Sequence, residues 1–299
     1  MAKLKTDPIS QADLVDFLDN HSDFSFELLV LNKLIDHGFS CEHGGSYEDR
    51  ATNKAREFDI RARRVEGKKF LRLAVECKNL RSNFPLLVSC VPRREQEAFH
   101  EIVYSVDPEK HPLENPPPVY IPAMLAKSKN IRITGQHTFY KAGDRVGKSC
   151  HQIGRLAHQG NEILATDSDV YAKWSQALSS ADDLTYLACC DGNDRTGDLA
   201  LSLVFPVLVV PNGQLWLCEY DSDGNRIKDP EPVNRCSYYV NLSYFHAGAA
   251  GGDGLAISHL EFVTLDGLVE FITSLIGDEQ KLDSSFPVDH VLQKLAEQL

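Results

Sequence analysis

Two runs that alternate apolar and polar residues, EFDIRARRV (57–65) and KKFLRLAVECKN (68–79), flank an EGK turn and constrain the fold more than any other stretch. Alternation of this length reads as the two strands of a β-hairpin. Successive side chains of a strand point to opposite faces. Leu71, Leu73, Val75 and Cys77 therefore share one face, and Phe70, Arg72, Ala74, Glu76 and Lys78 the other. In the first strand Phe58 and Ile60 oppose Asp59, Arg61 and Arg63. A carboxylate and an ammonium two residues apart thus end an apolar strand. Burying either one unpaired costs several kcal/mol or forces a large pKa shift. Glu76 and Lys78 are expected to project together, away from the core face, at a solvated strand end or held there for chemistry.

Before the hairpin, Ser10 and Asp13 make a capping-box pattern ahead of a helix ending near Asn20, with Leu14, Phe17 and Leu18 on one side. A second helix is expected from Phe24 to His37, stopping at Gly38, with an apolar stripe of Phe24, Leu28, Leu31, Leu34 and Ile35. Glu27 sits on the margin of that stripe. CEHGGSYEDRATNKAR (41–56) reads as a short strand and a loop. The proline-rich stretch 106–122 and the glycine-rich stretch 246–254 read as loops. Helices are expected at 149–158, 168–179, 267–276 and 288–299, with His151 and His158 two turns apart on the first. Two strands are expected in FPVLVVPNGQLWLCEY (205–220) about an Asn212–Gly213 turn, and another in AISHLEFVTL (256–265). The organisation that follows is an N-terminal helix (1–23), an α/β core (24–220) with a Pro-rich insertion at about 80–148, and a C-terminal α/β extension (221–299) that is one domain with the core or packs beside it.

The net charge of −12 argues at first against a polyanionic partner, but its distribution is uneven. Between residues 54 and 94 there are 12 Lys or Arg against 4 Asp or Glu; from 161 to the end, 7 stand against 22. The basic stretch suits an electrostatic footprint for nucleic acid, and the acidic half suits a basic protein partner. The N-terminus has no apolar signal segment, and the longest apolar run, 199–210, contains Ser202 and Pro206 and is too short to span a bilayer. Eight cysteines without a CxxC pair, several inside strand-like runs, read as reduced buried thiols rather than a disulfide or zinc framework. The expected setting is cytoplasmic, with no membrane partner.

The polar exceptions fall in a fixed order: Glu27 on a helix, Asp59 on one strand, Glu76 and Lys78 on the next. Two carboxylates on adjacent strands can converge on a hard divalent cation, and a nearby lysine can act on the attacking water. This order, carried by REFDIRA and AVECKN, resembles the PD-(D/E)XK, or restriction-endonuclease-like, nuclease superfamily; Phe58 stands where the family name has proline. The resemblance implies an α-β-β-β-α-β core, a mixed sheet flanked by helices. It implies Mg2+, with Mn2+ able to substitute, held by Asp59 and Glu76 with Glu27 completing the site, and Lys78 beside the water. It further implies a DNA endonuclease, in the family's usual employment in restriction or defence. Arg61, Arg63, Arg64, Lys68, Lys69 and Arg72 are the candidate phosphate contacts. Glu57, Tyr47 and Asp49 lie close in sequence, and some relatives place a glutamine near the site, for which Gln152 is the candidate. The alternatives are a non-catalytic nucleic-acid-binding or scaffold subunit on the same fold, and a nuclease acting on RNA or repair intermediates.

Other motifs are weaker. AGDRVGKS (142–149) is one residue short of a P-loop when counted from Gly143. DSDGN (221–225) has its glycine too early for a calcium loop and reads as a hairpin turn, and CCDGNDRTGD (189–198) reads as an acidic loop.

Overall fold

The structure is a computed structural model describing residues 6–49, 52–105, 128–156, 162–166, 168–194, 200–244, 255–277, 279–287 and 290–291. Helices α1 (Gln11–Asn20) and α2 (Phe24–Asp36) precede three consecutive strands, β1 (Ser40–Asp49), β2 (Lys54–Glu66) and β3 (Lys69–Cys77). Strands β4 (Leu86–Pro92), β5 (Phe99–Ser105), β6 (Ser128–Thr134), β7 (Arg145–Arg155) and β8 (Ile163–Thr166) lead to the long helix α3 (Ser168–Asp194). Then follow β9 (Ala200–Val210), β10 (Leu215–Glu219), β11 (Glu231–Pro232), β12 (Arg235–Tyr244), β13 (Leu255–Thr264), α4 (Leu265–Ile276) and α5 (Glu279–Ser285).

The expected hairpin is present: β2 and β3 pair antiparallel from Ile60 opposite Val75 to Glu66 opposite Lys69. β1 joins β2 antiparallel, and β3 runs parallel to β9 along its whole length, Lys69 opposite Leu201 through Cys77 opposite Val209. The sheet continues from β9 through β13, β12, β7, β4 and β10 to β11, with β5 and β6 attached at β9 and β8 at β7. It is a large mixed sheet, and the chain is an α/β protein. Within 80–148, β4, β5 and β6 are sheet strands, and β12 and β13 of the C-terminal part lie inside the same strand order.

Helices cover both faces of β3. Leu71, Leu73, Val75 and Cys77 join Val30 and Leu34 of α2 and Phe271 and Ile272 of α4 in one core, while Ala74 packs with Leu178, Ala181 and Leu184 of α3 on the other side. Alternation identifies two faces but not whether a second layer covers the outer one. Here β3 and β9 are parallel, so the chain between them must cross over, and α3, immediately before β9, lies against that face. The face expected to be solvated is therefore buried, and Glu76 is 0% exposed.

Several local expectations change. Residues 149–158 were expected to be helical, but β7 runs through Arg155 and pairs with β4, Leu86 opposite Gln152, so pairing overrides the local pattern and places His151 on a strand. The strand expected in 41–56 is the ten-residue β1 (Ser40–Asp49), in which Gly45 lets the Phe58 ring lie across the backbone; a Cβ there would stand 2.6 Å from the ring. Strands β9 and β10 flank the Asn212–Gly213 turn but pair elsewhere, β9 with β3 and β10 with β4. Helix α3 continues to Asp194, into the first part of the expected acidic loop. On α2 the buried face is Phe26, Val30 and Leu34, while Phe24, Leu28 and Ile35 are exposed. The Ser10–Asp13 capping box is formed, and Leu14, Phe17 and Leu18 of α1 are exposed. The stretches 106–127 and 245–254, residues 195–199, His158 and all of the expected last helix except 290–291 lie outside the described residues. No described helix is long and apolar enough to cross a membrane, and Cys41, Cys77, Cys90, Cys150, Cys189, Cys218 and Cys236 are free thiols.

A polar layer is buried beside β5 and β13. His100 hydrogen-bonds Thr138 Oγ1 at 3.0 Å, and His259 accepts from Arg93 Nε at 3.2 Å with its ring 3.7 Å from that of Tyr140. Burial, with Lys141 adding to it, holds His100 down at about 3; burial and Arg93 hold His259 at about 2. An unfolded histidine takes up its proton near pH 6.5. Each ring therefore contributes stability that is fully present above about pH 6.5 and falls by about 1.4 kcal/mol per pH unit below it. Glu76, raised to about 9, contributes with the opposite sign between its unfolded value and 9, so a difference between proteins isolates the histidine. Between pH 7 and pH 5 a His100→Asn variant is expected to lose about 2 kcal/mol less stability than the parent protein, measured by urea unfolding.

Candidate active site

β2 and β3 part at their Asp59 and Cys77 ends. The last backbone pair is Ile60 with Val75, and beyond it Cys77 N–H donates to Asp59 Oδ2 at 2.8 Å. The Asp59 amide in turn lies 3.4 Å from Glu76 Oε1. The two carboxyl groups thus meet at the carboxyl end of β3, beside its parallel neighbour β9, the end of an α/β sheet at which crevices form. Lys173 descends from α3 onto them. Its Nζ lies 2.9 and 2.7 Å from the two Asp59 oxygens and 3.4 Å from Glu76 Oε2.

The electrostatics follow from burial. Desolvation, reinforced by the Asp59 carboxylate, pushes Glu76 up to about 9, with Lys173 pulling the other way. Burial also disfavours the Lys173 charge, but Asp59 and Glu76 outweigh it and hold the ammonium above the ordinary lysine range. Burial thus biases Glu76 toward its protonated form beside the Asp59–Lys173 pair.

Lys78, expected to project together with Glu76, does not touch it. Lys78 lies past the end of β3, and its Nζ pairs with Asp23 Oδ2 at 3.2 Å, while Asn79 N–H donates to Asp23 Oδ1 at 2.8 Å. The lysine that touches the acids comes instead from a helix about a hundred residues downstream. A signal for it existed in the sequence. Val170, Ala177, Ala181 and Leu184 mark the buried face of α3, and Lys173 falls on the same helical stripe. Glu27 is half-buried and faces His43 Nε2 at 3.2 Å; it has no hydrogen bond to Asp59, Glu76 or Lys173, although its charge acts on neighbouring Cys77.

The expected phosphate contacts disperse. Arg61 is buried against the Phe58 and Tyr47 rings and pairs with Asp183 at 2.8 Å, and Arg72 is buried near the Phe70 ring. Arg64 bonds Glu66 and the His37 carbonyl, and Lys69 pairs with Asp283. Arg63 is half-buried and Lys68 exposed. Glu57 is exposed, with its carbonyl accepting from Gln176; Asp49 is buried and pairs with Arg56. Gln152 lines a cleft with Lys78 rather than joining the acids.

Asp59 and Glu76 provide hard oxygen donors that already converge on one positive charge, the Lys173 ammonium. Among the described residues no third His, Cys, Asp or Glu completes a metal cage. Mg2+ commonly takes one or two carboxylates and keeps several waters, so the donor set fits it. No protein-family model, curated protein or solved structure matches the chain.

A buried acid that is neutral in the folded state has a simple signature. Glu76→Gln, which imitates the protonated group, is expected to preserve or raise the thermal midpoint. Lys173→Met leaves Asp59 without its counter-charge and is expected to cost about 3 kcal/mol, as removal of one partner of a buried pair does. Differential scanning calorimetry at pH 7 measures both.

Proposed function

We propose that the chain is a metal-dependent nuclease that hydrolyses phosphodiester bonds of nucleic acid, built on a PD-(D/E)XK-like core. The observation that carries this reading is the convergence of Asp59 and Glu76, from adjacent strands, on one lysine at the carboxyl end of β3. The element order supports it: α2, β1, β2 and β3 in succession and, after the intervening strands β4 to β8, α3 and β9, with β9 parallel beside β3, follow the α-β-β-β-α-β order that the resemblance implies. DNA and a role in restriction or defence come from the resemblance, with Mg2+ as the natural cofactor.

When bound, a divalent cation would polarise a phosphoryl oxygen and lower the pKa of its water. Asp59 and Glu76 would hold it, Glu76 only after giving up the proton it carries near neutral pH. Lys173, anchored on α3, keeps a positive charge within reach of the same space and offsets negative charge that builds on the phosphate. The Cys77 N–H fixes the Asp59 carboxylate, so the donor that orients one ligand is backbone and not a mobile side chain. A non-catalytic nucleic-acid-binding module is the second reading, favoured by Lys173 already neutralising Asp59 and by the proton on Glu76.

Cleavage of plasmid and linear DNA and of RNA, with Mg2+, Mn2+ or EDTA, separates the two. Cutting is expected with either metal and not with EDTA, with a loss of at least about 100-fold in Asp59→Asn and in Glu76→Gln. Lys173→Met is expected to lose more activity than Lys78→Met. Absence of cutting by the parent protein on every substrate would contradict the nuclease reading.

A further inference from the structure

Beside the acid pair lies an open cleft of about 430 Å3, between the segment after β3, the β7–β8 hairpin and the junction of α1 and α2. That volume falls within the roughly 300–1,000 Å3 of small-ligand sites. Its walls carry Lys78, Arg81 and Arg155 against one carboxylate, Asp23, so the lining is net positive in a chain of net charge −12. Asp23 ties the cleft to the acid pair, because it binds Lys78 and also acts on the charge of Lys173.

Two further features are not those of a simple anion site. Phe84, half-buried in the wall, rests on Gly154 so closely that a Cβ at 154 would lie 2.5 Å from its ring. Gln152 is 4% exposed, and its Nε2 donates to the Phe84 carbonyl at 3.3 Å. That bond fixes which end of the amide is the donor, and Gln152 Oε1, also buried, has no hydrogen-bond partner among the described residues. A buried acceptor left unsatisfied is costly and invites an N–H donor. Cations that suit a phosphate, an aromatic wall that suits a planar ring, and a buried carbonyl that suits an amino or imino edge together fit a nucleotide.

We propose that this cleft receives one unpaired nucleotide of the substrate strand, with its phosphate toward Arg81 and Arg155, its base against Phe84 and a base N–H donating to Gln152 Oε1 once that amide, enclosed in this structure, turns toward the cleft. The inference rests on the nuclease reading and adds a substrate class: single-stranded, frayed or branched nucleic acid. A base inside a duplex is stacked and paired, and drawing it out costs unstacking energy that an already unpaired base does not.

The test reads binding and not cleavage, using the full chain carrying Glu76→Gln, in EDTA. Fluorescence anisotropy follows a labelled single strand of about ten nucleotides, the same strand annealed to its complement, and displacement of the strand by nucleoside monophosphates. The single strand is expected to bind about tenfold or more tightly than the duplex. Gln152→Leu and Arg155→Ala are each expected to weaken single-strand binding about tenfold, with circular dichroism and thermal midpoint unchanged. Equal affinity for strand and duplex, or binding indifferent to both substitutions, would overturn the proposal. Monophosphates that displace the strand at matching affinity would also overturn it, marking a free-nucleotide site instead. All of these outcomes leave the metal-dependent cleavage assay to decide the nuclease reading separately.

Discussion

The Lys173 ammonium is what makes it tolerable to bury Asp59 and Glu76 side by side at the end of β3. Two carboxylates in contact in a low-dielectric interior cannot both stay ionised without a counter-charge. The chain answers with one cation and one proton: Lys173 neutralises Asp59, and Glu76 is held neutral. The arrangement requires α3 to lie over the outer face of β3, and that placement follows from the parallel pairing of β3 with β9. The acid cluster therefore depends on the crossover topology that lays α3 over β3. An apolar set of similar volume would pack at least as well, so stability does not require the three ionisable groups there.

Charge elsewhere is spent internally. Of the basic stretch 54–94, Arg61, Arg64, Lys69, Lys78, Arg93 and Arg94 all bond protein groups, and Arg72 is buried. Two acids of the second half are used in the same way: Asp183 pairs with Arg61, and buried Glu261 is bound by Arg235 and Tyr140. Lys78, Arg81 and Arg155 line one cleft, in which Lys78 is already paired with Asp23.

How much of this was legible in the sequence depends on the range of the interaction. Local signals were readable: the Ser10–Asp13 cap, the Gly38 stop, the β2–β3 hairpin and the pairing of Asp59 with Glu76 on adjacent strands, all set by neighbours within about twenty residues. What failed was set at long range. The exposure of Glu76 was decided by α3, the identity of β7 by β4, and the partners of β9 and β10 by strands distant in the chain. Lys78 had the right spacing but the wrong neighbour, because spacing does not show that Asp23 at the start of α2 lies closer than Glu76. Lys173 was hidden for the opposite reason. A lysine on an amphipathic helix reads as solvated until the helix is known to bury that stripe over two carboxylates.

Manganese binding, followed by electron paramagnetic resonance in the parent protein, Glu76→Gln and Lys173→Met, is the most direct measure of whether Asp59 and Glu76 are cation ligands that Lys173 guards. The account predicts a bound Mn2+ in the parent protein, its loss in Glu76→Gln and tighter binding in Lys173→Met, where the competing ammonium is gone. Absence of binding in both the parent and Lys173→Met, or binding unchanged by Glu76→Gln, would contradict it and leave the cluster a structural ion pair.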